Sequence, residues 1–136
     1  MKHNTYRCNK LCRDKTIDRV ELAGGSCSWK TLTDIEHIKE LGNKIQEEAL
    51  EVADSKTRDE LVLELADVLE VVDAIMHAHV ISLHEVESAK ILKKVERGGF
   101  IEKKFIETVT CPSDSVFAKY YSLNKDKYPL IQEEER

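Results

Sequence analysis

Three stretches of the chain place apolar residues three and four positions apart, which is the period of an amphipathic α-helix. Each stretch follows a Ser or Thr with a Glu three positions later, the arrangement of a helix capping box. The pattern predicts helix A over about 34–54, helix B over about 58–80 and helix C over about 83–97. The capping pairs are Thr33 with Glu36, Thr57 with Glu60, and Ser82 with Glu85.

The connections between these helices are short, so sequence neighbours are expected to pack antiparallel. Before helix A we expect irregular structure with a short helix near Thr16 to Leu22, and after Gly98 and Gly99 an apolar segment. The predicted fold is an all-α helical bundle. Its domain would span residues 1–110, with a C-terminal tail over residues 111–136 that packs on the domain or on a partner.

Two inward faces of these helices contain carboxylates where apolar residues are expected. On helix A, Ile38, Leu41 and Ile45 are followed at the same spacing by Glu48 and then Val52. Glu51 lies beside Glu48, and Glu47 is turned further toward solvent. On helix B, the face that ends in apolar residues begins with acidic ones; in order it contains Glu60, Glu64, Asp67, Val71, Ala74 and Ala78.

Antiparallel pairing of helices A and B would bring Glu48, Glu51, Glu64 and Asp67 into one half-buried cluster. One like-charge pair about 4 Å apart costs on the order of 4 kcal/mol at an effective dielectric near 20. Such a cluster needs protons, cations or a metal, and an all-oxygen ligand set favours Mg²⁺ or Mn²⁺. The alternative is that these are solvated helix charges.

The amino-acid composition limits the kinds of function that the chain is expected to have. The 136 residues suit one domain, and the 35% charged and 6% aromatic residues favour helices with solvated faces. The net charge of −5 argues against binding nucleic acid. Acidic residues interrupt the most apolar window, so no membrane span is expected. Four cysteines without zinc-site spacing predict reduced thiols and a cytoplasmic protein.

Helix C has a basic stripe formed by Lys90, Lys93 and Arg97. Cations near a helix C-terminus suit the helix dipole, so simple capping is one interpretation. Beside an acidic metal cluster, the stripe is better interpreted as a clamp for phosphate, because phosphoryl transfer needs both metal and cations.

These residues resemble the signature of a known family. The segment EEALE (47–51), twelve intervening residues and ELAD (64–67) are similar to the EExxE…ExxD motif of the MazG-like, all-α nucleoside triphosphate pyrophosphohydrolases. NKLCRDK (9–15) and ERGGF (96–100) resemble segments of a short subgroup of that superfamily. The chain departs from the subgroup in lacking a proline after RDK, and from MazG proteins proper in having Lys90 where they have Asn.

The resemblance implies a MazG-like bundle and Mg²⁺-dependent hydrolysis of a nucleoside triphosphate to monophosphate and pyrophosphate, a reaction that would serve nucleotide-pool housekeeping. It assigns the metal to Glu48, Glu51, Glu64 and Asp67. Phosphate contacts would come from Lys44, Lys93 and Arg97, with Arg13 and Lys15 as weaker candidates whose alternative is surface ion pairing. Glu47 is either the general base for the attacking water or a further metal ligand.

The sequence leaves two alternative functions open. They are hydrolysis of phosphoribosyl-ATP and a non-catalytic helical dimer that binds nucleotide or metal. Helix B is apolar around much of its circumference, which predicts a homodimer or homotetramer.

Overall fold

The computed structural model describes residues 1–131, and this part of the chain contains five helices and no strand. It therefore confirms the all-α class. Helices α2, α3 and α4 correspond to the predicted helices A, B and C. The five helices are α1 (Thr16–Leu22), α2 (Asp34–Asp54), α3 (Arg58–Ala78), α4 (Leu83–Arg97) and α5 (Val116–Leu123).

The three predicted caps all form. The side-chain oxygens of Thr33, Thr57 and Ser82 accept hydrogen bonds from backbone N–H groups three positions later, at 3.2, 3.1 and 3.2 Å. Only the cap of α4 is a full reciprocal box, because Glu85 also accepts from the backbone N–H of Ser82 at 2.7 Å. These bonds satisfy donors that the first helical turn leaves unpaired, and so fix where each helix begins.

The two longest helices, α2 and α3, pack against each other and form the core of the first compact unit, Met1–Glu96. The apolar side chains buried there are Leu41 on α2 and Val71 and Met76 on α3. Glu48 on α2 is also buried. Glu70, Asp73 and His77 on the opposite side of α3 are exposed.

Helix α4 differs from its expected place in a bundle. Within the first unit, extensive helix packing is confined to α2 and α3. Leu92 and Val95 on α4 are exposed. Much of α3 is uncovered as well: Leu69, for example, is 64% exposed. This unit therefore leaves apolar surface on both α3 and α4.

The second compact unit begins at Arg97. It contains α5, a helix that the sequence analysis missed. The sequence feature that could have indicated this helix is Ser115, its N-cap. The Ser115 hydroxyl accepts a hydrogen bond from the backbone N–H of Ala118 at 3.2 Å. Tyr120, Tyr121 and Tyr128 form a cluster there, with ring centroids 4.9 to 5.8 Å apart. Residues 132–136 of the predicted tail lie outside the described residues.

Helix α3 ends at Ala78, two residues earlier than the sequence predicted, and its end contains a strained residue. The backbone N–H of Ile81 donates to the carbonyl of Met76 at 2.9 Å, and that of Val80 donates to His77 at 3.2 Å. This is a Schellman motif, in which the residue at the position of Val80 is usually Gly. Val80 has a φ of 56°, a left-handed conformation that is costly for a β-branched side chain.

We predict that Val80→Gly raises the free energy of unfolding by about 0.5–1 kcal/mol, because relief of the left-handed strain exceeds the entropy that Gly adds to the unfolded chain. Chemical denaturation at fixed protein concentration measures the change. Val62→Gly within the same helix is the control and should lower stability, since Gly is unfavourable in a helix interior. A loss of stability in Val80→Gly would show that the strain is not significant.

Candidate metal centre

Four carboxylates meet where α2 packs against α3. Glu48 and Glu51 project from α2, and Glu64 and Asp67 project from α3. Each offers one oxygen, and these four oxygens all lie within 4.8 Å of one another. These are the four residues that the sequence placed on the two inward faces. The structure therefore brings together a set that could hold a metal ion.

Two members of this cluster have buried oxygens that lack a hydrogen-bond partner. They are Glu48 Oε2 and Glu64 Oε2. The Glu48 side chain is only 9% exposed. A buried, unpaired carboxylate oxygen is costly, and a proton or a cation bound at the site would give these two atoms a partner.

Burial raises the pKa of Glu64 above its ordinary value, and hydrogen bonding to Glu51 raises it further. The negative charges of Glu51, Asp67 and Glu48 act in the same direction. In the metal-free protein, Glu64 thus holds its proton to higher pH than an ordinary glutamate does. A cation bound among the four groups would favour loss of that proton.

The cluster also fits a divalent ion by size. Oxygens on opposite sides of one Mg²⁺ lie about 4.2 Å apart, since each Mg–O distance is about 2.1 Å. The observed limit of 4.8 Å exceeds that by a few tenths of an ångström. Small side-chain rotations would close the group on one ion, and carboxylate oxygens are the ligands that hard cations prefer.

Lys44, one of the phosphate contacts that the resemblance implies, lies on the edge of the cluster. Its Nζ is 3.5 Å from Glu47 Oε1 and 3.5 Å from Glu48 Oε1. Its side chain is 20% exposed, so this contact is screened by solvent less than most surface ion pairs. Lys44 therefore offsets part of the negative charge on the α2 side of the site.

Glu47 is a fifth, half-buried carboxylate, which lies beside the group of four. Lys10 Nζ donates to Glu47 Oε1 at 3.0 Å. That hydrogen bond lowers the pKa of Glu47 below its ordinary value, although burial opposes it, and the charge of Lys44 contributes to the lowering. Glu47 is consequently ionised at neutral pH and can accept a hydrogen bond from water.

Of the other predicted phosphate contacts, only Arg13 contacts a residue of the site. Arg13 reaches the site, because its guanidinium Nη2 is 2.6 Å from Asp67 Oδ1. Lys15 is exposed just before α1. Lys93 is exposed on α4, which does not pack along α2 or α3 within the first unit. Arg97, also exposed, ends α4 at the start of the second unit.

Lys10 is the site residue that the sequence analysis missed. It lies in an irregular segment, where neither helical nor strand periodicity indicates which way a side chain points. The one sequence feature that could have indicated Lys10 is that it lies in the same NKLCRDK segment as Arg13. Its contact partner, Glu47, is 37 positions away, so only the tertiary structure reveals the contact.

Comparisons of the chain with protein-family models, with curated proteins and with solved structures found no match. No helix within residues 1–131 is both long and apolar enough to cross a membrane.

We predict opposite effects of Glu64→Gln without and with metal. In EDTA, at a pH above the raised pKa of Glu64, the variant should melt at higher temperature than the natural protein, because one like charge is removed from the cluster. With Mg²⁺, Mn²⁺ or Ca²⁺ the natural protein should gain stability, about 2.7 kcal/mol at a concentration 100 times Kd, and the variant should gain much less. Thermal unfolding monitored by circular dichroism measures both effects.

The matched control for this prediction is Glu70→Gln, the same change on the exposed side of the same helix. It should leave the metal-induced stabilisation intact. Equal melting temperatures with metal and with EDTA in the natural protein would rule out a preformed metal centre.

Proposed function

We propose that this protein is a Mg²⁺-dependent nucleoside triphosphate pyrophosphohydrolase, which cleaves the bond between the α- and β-phosphates to give a nucleoside monophosphate and pyrophosphate. The observation that supports it most directly is the group of four carboxylates within 4.8 Å, two of them with buried, unpaired oxygens. The resemblance of residues 47–51 and 64–67 to the EExxE…ExxD signature supports the same chemistry.

In this proposal the carboxylates of α2 and α3 hold the ion. A divalent ion bound among them would neutralise charge on the phosphate oxygens of the substrate. Lys44 is proposed to contact a phosphate, since it lies on the edge of the cluster and is partly exposed. Lys93 and Arg97 on α4 are proposed to complete the phosphate contacts.

Glu47 is the proposed general base for the attacking water. It is adjacent to the four carboxylates, ionised, and paired through Oε1 with Lys10 and Lys44. A proton acceptor must lie next to the reacting groups and remain unprotonated at the working pH. Glu47 satisfies both requirements, although its lowered pKa makes it a weaker base than an ordinary glutamate.

The site has features that a purely structural cluster does not need. Structural ion pairs neutralise one another, whereas this group retains unpaired acidic oxygens. A non-catalytic protein that binds metal or nucleotide would share those oxygens but would release no product. Hydrolysis of phosphoribosyl-ATP is the alternative reaction within the same class of enzyme.

The proposed setting is the cytoplasm, where thiols stay reduced. The cysteines at positions 8, 12, 27 and 111 are all free.

The experiment that tests the proposal is incubation with a panel of nucleoside triphosphates, and with phosphoribosyl-ATP, in the presence of Mg²⁺, with pyrophosphate as the readout. Glu64→Gln is the inactive control and Glu70→Gln the active one. Binding of metal without release of pyrophosphate from any substrate would favour the non-catalytic alternative.

We predict that Glu47→Gln lowers kcat by about 10²–10⁴-fold, the usual contribution of a general base. Its stabilisation by metal should remain that of the natural protein, because the four ligands are unchanged. Activity and thermal unfolding with Mn²⁺ are measured on the same preparation. If the metal-induced stabilisation falls together with kcat, Glu47 is a ligand and another group accepts the proton.

The proposal includes a homodimer or homotetramer. Leu61, Leu65, Leu69 and Val72 follow one stripe of α3, and the first three are exposed in the single chain. A second copy would remove this stripe from water, at about 25 cal/mol for each Å² of apolar surface. The stripe is adjacent to the face that carries Glu64 and Asp67, so assembly and site share one helix.

We predict that light scattering finds a dimer or larger species at micromolar concentration, and that Val72→Asp dissociates or unfolds it and removes activity. A buried charge without a partner is strongly unfavourable. The control is Ala66→Asp, which adds the same charge on the exposed side of α3 and should preserve assembly. A stable, active monomer of the natural protein would contradict this part of the proposal.

A further inference from the structure

The segment before α1 contacts both helices of the candidate metal centre. Lys10 donates to Glu47 on α2 at 3.0 Å, and Arg13 donates to Asp67 on α3 at 2.6 Å. Between them, Leu11 is half-buried. Residues 10–13, called the N-terminal clamp below, thus connect two helices through partners 37 and 54 positions away in sequence.

A residue with left-handed backbone conformation comes directly before this clamp. Asn9 has a φ of 47°, a conformation that Asn adopts more readily than most residues because its short side chain can bond locally. The clamp therefore follows a bend that its sequence permits. The clamp is held at two points, by Lys10 on Glu47 and by Arg13 on Asp67.

The ion pair between Arg13 and Asp67 contributes little to global stability. The two side chains are 60% and 37% exposed, and exposed pairs are worth about 0–1 kcal/mol. Its geometry is more informative than its energy. A short, charge-assisted hydrogen bond from Arg13 to Oδ1 restrains the rotation of the Asp67 carboxylate and uses only one of its two oxygens.

We propose that Arg13 is a positioning residue, which orients the Asp67 carboxylate for metal binding, and that Lys10 anchors the other end of the clamp on α2. This inference rests on the proposed metal centre and assigns Arg13 a role other than contact with substrate phosphate. Groups that bond to metal ligands in this way typically change metal affinity 10–100-fold when removed.

If Arg13 acted only through its charge, its removal would change the metal affinity in the opposite direction. Removing a cation from the edge of an acidic cluster reduces repulsion toward a divalent ion, so loss of Arg13 would tighten metal binding if the residue acted only by its charge. Loss of an orienting hydrogen bond weakens binding. The sign of the change in affinity therefore distinguishes positioning from charge.

The experiment is titration of the full chain with Mn²⁺, with free Mn²⁺ followed by electron paramagnetic resonance. Arg13→Met should weaken Mn²⁺ binding about 10–100-fold. Arg13→Lys should recover part of that loss, since it retains a donor. The matched control is Arg19→Met, which removes the same charge from exposed α1 and should leave affinity unchanged or slightly tighter. Far-ultraviolet circular dichroism checks that each variant is folded.

Lys10→Met tests the second anchor, with Lys2→Met as its control. Lys10→Met should weaken Mn²⁺ binding in the same direction as Arg13→Met and by a smaller factor, because Arg13 still holds Asp67. Lys2→Met should leave affinity unchanged.

Limited trypsin digestion is a readout that does not depend on the variants. The clamp contains cleavage sites after Lys10 and Arg13. If the clamp supports the metal centre, Mn²⁺ should slow cleavage at these two sites, with cleavage after Lys104 as the internal reference. Faster cleavage with Mn²⁺ would mean that the ion displaces the clamp, and would overturn the inference.

The remaining outcomes separate this inference from the proposed function. Equal or tighter Mn²⁺ binding in Arg13→Met overturns the positioning role and leaves the metal centre standing. Absence of Mn²⁺ binding by the natural protein overturns both. Weakened binding in Arg13→Met, together with no pyrophosphate release from any substrate by the natural protein, supports the positioning role and removes the proposed activity.

Discussion

Repulsion among the carboxylates between α2 and α3 is the constraint on which the rest of the site depends. One like-charge pair about 4 Å apart costs on the order of 4 kcal/mol at an effective dielectric near 20, while a whole domain is stable by only about 5–15 kcal/mol. The helix pair therefore needs compensating groups. The structure supplies them in two forms: Lys10, Arg13 and Lys44 at the edge of the cluster, and a raised pKa at Glu64.

The helices and the acidic face were predictable from the sequence, because both depend on local periodicity. The spacing that placed Glu48 in line with Leu41 and Ile45 is the spacing by which α2 buries Leu41 and Glu48 in the structure. The caps were predictable for the same reason, since Thr33 and Glu36 are separated by a single turn. Packing of α2 on α3 then assembled the four carboxylates.

The remaining features depend on contacts between distant parts of the chain, or on backbone conformations that residue type disfavours. Lys10 and Arg13 lie in a segment without period, and their partners are 37 and 54 positions away. Val80 occupies a position where sequence rules expect Gly, so helix B was extended too far. The packing of α4 was inferred from bundle architecture, whereas the first unit leaves α4 without extensive contact to α2 or α3.

Charge balance connects the metal centre to the need for further cations. The acidic groups at the site are Glu47 and the four carboxylates of the cluster. When all five are ionised they face the three cations Lys10, Arg13 and Lys44, which leaves two negative charges, enough to balance one divalent ion. With that ion bound, the site would be close to neutral. A triphosphate would then require positive charge from outside this group, either from a second ion or from residues such as Lys93 and Arg97. In the proposed assembly, the position of α4 would decide whether its cations, rather than a second ion, could supply that charge.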